Sequence, residues 1–75
     1  MFLRLTIEAS GRMQDILIDS HQKISEGLTV LRQSGKLPNG DFPDYFRSRL
    51  GERLVSAHRT FDEEQVFDGD VLTAV

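Results

Sequence analysis

The chain has no cysteine, no long apolar run and no excess of basic residues. Without cysteine there is no disulfide staple, no thiolate nucleophile and no Cys-ligated zinc or iron–sulfur site, so a secreted disulfide-held mini-protein is disfavoured and a reducing cytoplasm fits. The longest apolar stretches are a few residues, far short of the ~20 needed to span a membrane, and no basic segment precedes an apolar one at the N-terminus. The expectation is a soluble chain, starting at its own Met1, with no direct membrane insertion. A formal charge of −3 and a pI near 5.2 argue against a general nucleic-acid coat.

Seventy-five residues, 39% of them hydrophobic, fit one small domain over 1–75. Such a chain buries only about 60% of its unfolded surface, which leaves modest stability and little room for an enclosed ligand pocket. The charge is unevenly spread. Residues 1–44 carry five basic and six acidic side chains, residues 45–60 four basic and one acidic, and residues 61–70 five acidic and none basic.

Met1, Leu3, Leu5 and Ile7 alternate with polar residues, the period of a half-buried strand, with Phe2 the exception. Ala9-Ser10-Gly11-Arg12 has turn chemistry, and Met13–Ile18 resumes the alternation, so the chain opens with a β-hairpin. Ile16 and Ile18 then share the core face with Leu3, Leu5 and Ile7, while Asp15, Leu17 and Asp19 face out. From Ile24 the period changes to that of a helix, with Ile24, Leu28 and Leu31 on one stripe. Its start is weakly marked, because Asp19 or Ser20 has the chemistry of a cap but Lys23 stands where a capping acid is expected. Its stop is clear at Gly35, with Pro38 beyond. Gly27 inside the helix costs about 1 kcal/mol relative to Ala, and close helix–sheet approach would compensate.

Leu37–Pro43 reads as a loop, followed by an extended run over Tyr45–Leu50. Two registers are open for that run. Phe46 and Leu50 inward also buries Ser48, whereas the other phase buries Tyr45 with Arg47 and Arg49; the first is preferred. Gly51 permits a turn into a short edge segment, Arg53-Leu54-Val55. Thr60-x-x-Glu63 is a capping box for one helical turn, and Asp68-Gly69-Asp70 turns the chain into a last strand, Val71–Val75, with Leu72 and Ala74 inward. One helix and these strands make an α+β architecture, a β-grasp with a mixed four- to five-stranded sheet packed on the helix.

The same residues resemble the ubiquitin-like superfamily over essentially the whole chain. The resemblance rests on the Met-initiated hairpin with its Gly turn and the helix from Ile24 ended by Ser34-Gly35-Lys36-Leu37-Pro38. Leu54, Thr60 and Phe61 follow in order, and then the ending Val66-Phe67-Asp68-Gly69-Asp70-Val71-Leu72. Within it, Asp15-Ile16-Leu17-Ile18-Asp19-Ser20-His21 followed by Ile24 is similar to the bacterial EsaB/YukD proteins of type VII secretion loci. That resemblance implies a cytoplasmic, non-enzymatic accessory or regulatory protein of a machine exporting WXG-type substrates, peripheral to its membrane complex. It also implies a protein partner, a secretion ATPase or a membrane component. The alternative is a generic ubiquitin-like adaptor unconnected with secretion. A sulfur carrier or protein modifier is disfavoured, because the chain ends Leu72-Thr73-Ala74-Val75 where that chemistry needs Gly-Gly.

There is no nucleophile elbow and no phosphate-binding glycine loop, so no catalytic residue and no cofactor are expected. His21 and His58 fall in different loops, where solvated or loop-bonding roles are far commoner than metal ligation, and Asp68 and Asp70 flanking Gly69 read as a turn rather than a calcium loop. The sharper feature is Arg47, Arg49, Arg53 and Arg59. They are candidates for partner docking, with Ser48 between the first two; the bland reading is a solvated basic strand balanced by Asp62, Glu63 and Glu64. Nucleic acid is disfavoured, since no stacking aromatics accompany the arginines and an acidic loop follows. Ser48 is expected near the strand-centre position of ubiquitin's apolar recognition patch, with Glu8 to Ser10 at the hairpin tip, so ubiquitin receptors should not bind. Phe2 and Leu17, exposed by alternation and adjacent in the hairpin, form a second candidate contact, with cover by a neighbouring loop as its bland reading. A monomer or weak homodimer is expected.

Overall fold

In a computed structural model, described for residues 1–37 and 42–75, the chain forms five strands and one helix in the order β1 (Phe2–Ala9), β2 (Arg12–Asp19), α1 (Ile24–Gln33), β3 (Tyr45–Ser48), β4 (Arg53–Ser56) and β5 (Val71–Ala74). The strands make one mixed sheet in the order β2-β1-β5-β3-β4. β5 lies parallel to β1, and the other pairings are antiparallel.

The hairpin is built as its pattern demands. Ser10 and Gly11 both take left-handed backbone (φ 53° and 76°), the twist of a two-residue turn that lets right-twisted strands pair. Leu3 pairs with Ile18 and Leu5 with Ile16, so those four side chains are buried on one face with Ile7. Met1 departs from the expected alternation: it precedes the strand and is 79% exposed.

Ile24, Gly27, Leu28 and Leu31 form the buried face of α1. A Cβ on Gly27 would stand 3.2 Å from Ile18 Cδ1 and 3.6 Å from Phe61 Cζ, so the missing side chain is what brings helix and sheet together. The helix ends in a Schellman motif, with Lys36 N–H donating to the Leu31 carbonyl (3.0 Å), Gly35 N–H to that of Arg32 (3.1 Å), and Gly35 at φ 76°. Its start corrects the expectation of a cap at Asp19 or Ser20. The cap position is Lys23, which has no side-chain acceptor to offer; Ile24 and Ser25 instead donate to the carbonyls of Arg59 (3.0 Å) and Ala57 (2.8 Å). Glu26 Oε1 reaches back to Lys23 N–H at 3.3 Å.

Residues 38–41, within the expected loop Leu37–Pro43, lie outside the described residues. The chain is next seen with Phe42 against the core, its ring 5.3 Å beneath the Arg32 guanidinium. β3 takes the preferred phase, with Phe46 and Ser48 buried. Leu50 does not follow: β3 ends at Ser48 and Leu50 sits in the turn, 60% exposed. The Thr60/Glu63 box forms reciprocally, Thr60 N–H to Glu63 Oε1 and Glu63 N–H to Thr60 Oγ1, both at 3.0 Å. It opens the single expected helical turn within residues 61–65, closed by Glu64 N–H on the Thr60 carbonyl at 3.1 Å and ended at Gln65 (φ 54°). Phe61, Val66 and Leu72 close the core around Phe46 and Val55. Among the described residues no helix is long and apolar enough to cross a membrane.

Candidate protein-interaction face

The helix covers one face of the sheet and leaves the other open. Alternation along β3 turns Phe46 and Ser48 toward the helix and Tyr45 and Arg47 away from it. Arg47 pairs with Thr73 of β5 on one side and Leu54 of β4 on the other, while the Arg49 amide continues the ladder to the Val71 carbonyl at 3.0 Å. Arg47 and Arg49 are exposed, and among the described residues neither side chain forms an ion pair. Leu54 and Tyr45 are also half or more exposed beside them. A shallow hollow of about 380 Å³ lies between Arg47, Arg49, Glu52 and Thr73.

The chain has the ubiquitin-like β-grasp fold. Three solved structures decide this, each aligned over the whole of the chain. They are Caldiarchaeum subterraneum ubiquitin (20% identity, TM-score 0.59, 95% of that chain covered) and the EccD5 ubiquitin-like domain from Mycobacterium xenopi (22%, 0.57, 93%). The third is the ubiquitin-like domain of the Mycobacterium tuberculosis type VII secretion system protein EccD1 (20%, 0.57, 98%). No protein-family model and no curated relative matches the sequence.

Within this ubiquitin-like frame the candidate residues divide. Ser48 does not belong to the open face, and its expected place among the partner-facing residues is corrected. It is 2% exposed, and its hydroxyl donates to the buried Asp70 carboxylate and accepts from Gly51 N–H at 3.1 Å. The residue displayed at mid-strand is Arg47. Arg53 pairs with Ser48 and so shares its inward phase; its guanidinium donates to the Glu64 carbonyl. Arg59 lies beyond β4, 3.4 Å from Glu64 and 3.8 Å from Glu63. Arg53 and Arg59 are thus held by the 61–65 turn and are not part of a patch with Arg47 and Arg49.

Phe2 and Leu17 are on the open face, diagonal across β1 and β2, and remain 68% and 62% exposed, so no loop among the described residues covers them. Register puts Glu8, not Phe2, in the row of Arg47, so along the strands Phe2 sits six positions from that row, about 20 Å, and Leu17, level with Arg4, four positions, about 13 Å.

Other titratable groups serve structure. His21 bridges Asp19 and Asp62, 3.2 Å from each, and His58 meets Asp44 at 2.8 Å. The His21 backbone N–H on Asp19 holds that carboxyl below its ordinary range, as the Thr60 N–H does for Glu63. Asp68 accepts from Arg4 N–H (2.7 Å), whereas Asp70 accepts from Leu50 (3.0 Å) and Val71 (2.7 Å) N–H, so one carboxylate is committed to β1 and the other to the turn after β3 and the start of β5. Among the described residues no three His, Asp or Glu side chains gather to hold a metal. Sequence reasoning counted Glu64 among the acids that balance the arginines but missed its second role. Its carboxylate accepts from Ser56 N–H at 2.8 Å, blocking the free edge of β4. No spacing signal marks it, because its partners come from the preceding strand.

Proposed function

We propose that the chain is a non-enzymatic protein-interaction module of a bacterial type VII secretion system, acting on the cytoplasmic side as an accessory or regulatory component akin to EsaB/YukD. The open sheet face around Arg47 and Arg49 docks the partner, an acidic surface of the secretion ATPase or of a membrane component. The observation that carries this reading is the pair of exposed arginines without ion-pair partners among the described residues, flanked by Leu54 and Tyr45. Cations free of intramolecular partners beside exposed apolar area are what an interface uses for orientation and for affinity respectively. Likeness to the EccD ubiquitin-like domains supports the secretion context. A generic adaptor role is the second reading, favoured by the equal likeness to a ubiquitin.

Deletion of the gene in its native host, with measurement of secreted WXG-type proteins, separates the two. The secretion reading expects their export or the expression of the locus to change, and complementation by Arg47→Glu/Arg49→Glu to fail. Unchanged export and expression would leave the adaptor reading.

A further inference from the structure

One row of the open face carries opposite charges on the two sides of its central strand. The pairings place Met13 of β2, Glu8 of β1, Thr73 of β5, Arg47 of β3 and Leu54 of β4 in one row across the sheet. Read from either end, the row is apolar, charged, neutral, charged, apolar, and its two charges are opposite. Glu8 and Arg47 lie on either side of Thr73, and among the described residues neither is in an ion pair.

We infer that this face pairs with the same face of a second copy of the chain, about a two-fold axis running along β5 over Thr73. That rotation sets Glu8 against Arg47 of the second copy and Arg47 against its Glu8. It brings Met13 onto the Leu54 of the other copy, and Thr73 onto itself. A two-fold axis laid across the strands along this row would set Glu8 on Glu8 and Arg47 on Arg47, so like charges exclude it. Such isologous closure needs a surface complementary to itself, which this row is.

The relief of the surface agrees. A hollow of about 340 Å³ lies beside Glu8, bounded by Ser10, Met13 and Thr73, and the hollow of about 380 Å³ beside Arg47 shares Thr73 as its near wall. The two-fold places the Arg47 side chain of one copy over the Glu8 hollow of the other, and Glu8 over the Arg47 hollow. Five strands about 4.8 Å apart make a face only about 20 Å wide, at the low end of specific interfaces, so the pairing is weak and set by concentration. It covers the arginines assigned above to partner docking, so a second copy and a partner compete for one face. The inference does not rest on the identity of that partner, because it is tested with purified chain alone.

Sedimentation equilibrium over a wide concentration range tests it with the wild type, Glu8→Arg, Arg47→Glu and the double exchange. A monomer–dimer equilibrium is expected, weakened about tenfold or more in each single variant and restored in the double one. Cross-linking gives a readout independent of those substitutions, since the chain has no cysteine of its own. Because facing sheets stand about 10 Å apart, too far for a direct disulfide, Thr73→Cys should be joined to its copy by a short bis-maleimide spacer far faster than Gln33→Cys at the exposed end of α1. A wild type that stays monomeric at about millimolar concentration, single variants that dimerise as the wild type does, a double exchange without recovery, or equal cross-linking from the two cysteines would each overturn it.

Discussion

Ser48 and Asp70, 22 residues apart in the chain, meet side chain to side chain in the interior, where each is almost wholly buried. The contact ties the end of β3 to the start of β5. Asp70 also receives the Leu50 and Val71 amides, and Ser48 receives that of Gly51, so one carboxylate and one hydroxyl organise the turn that carries Arg49. Removing the acceptor leaves a hydroxyl and two amides without it. Asp70→Ala should therefore cost about 3 kcal/mol or more, a large share of the stability of a domain this size, and Ser48→Ala about 1–2 kcal/mol. Urea titration of the two variants checks the order; equal midpoints to the wild type would show that the pair is incidental.

Gly27 is a spacing device. A valine there would press its branched carbons into Ile18 and Phe61, whose nearest atoms already lie 3.2 and 3.6 Å from a bare Cβ. Gly27→Val should lose about 1–3 kcal/mol despite the better helix propensity of valine, lowering the melting temperature by about 5 °C or more. A rise on thermal melting would mean that helix and sheet separate freely.

Ser20 is fully buried, and its hydroxyl has no partner among the described residues, although its backbone is engaged at both N–H and C=O. The hydroxyl gives nothing in return for its desolvation. Ser20→Ala should be neutral or stabilising by up to about 1 kcal/mol in a denaturant titration, against the usual loss for a change at a buried site.

Glu63 gives the fold an acid limb. The Thr60 backbone N–H holds its carboxyl below the ordinary glutamate value of 4.5. A carboxylate depressed in the folded state contributes stability that is fully present above its unfolded pKa and is lost as pH falls through the folded one. Stability should therefore fall below about pH 4.5, and Glu63→Gln, which keeps an acceptor but cannot titrate, should flatten that fall. Melting temperatures of both proteins between pH 3 and 7 decide it; parallel curves would assign the acid limb elsewhere.

The legible parts of the fold are those whose signals are local. The hairpin turn at Ser10-Gly11, the helix stop at Gly35 and the inward phase of Phe46 all follow from a few neighbouring residues. The helix start was illegible because its amides are satisfied by carbonyls more than thirty residues away, those of Ala57 and Arg59. Ser48 is legible in part: the preferred phase of β3 turns it inward, against its place among the partner-facing candidates, but nothing local shows its acceptor, Asp70, which a later strand brings to it. The four arginines looked alike in sequence, and only the pairing of Arg53 with Ser48 divides them between two faces. The exposure of Phe2 and Leu17 follows from alternation, but their distance from Arg47 depends on the parallel register of β1 and β5.

Photocrosslinking in the native host tests the central claim most directly, with a photoreactive residue placed at Leu54, exposed and paired with Arg47. Mass spectrometry of the adducts should identify a secretion ATPase or membrane component of the type VII machine, and capture should disappear with Arg47→Glu/Arg49→Glu. Adducts that contain no secretion component, or capture that survives the exchange of both arginines, would contradict the account.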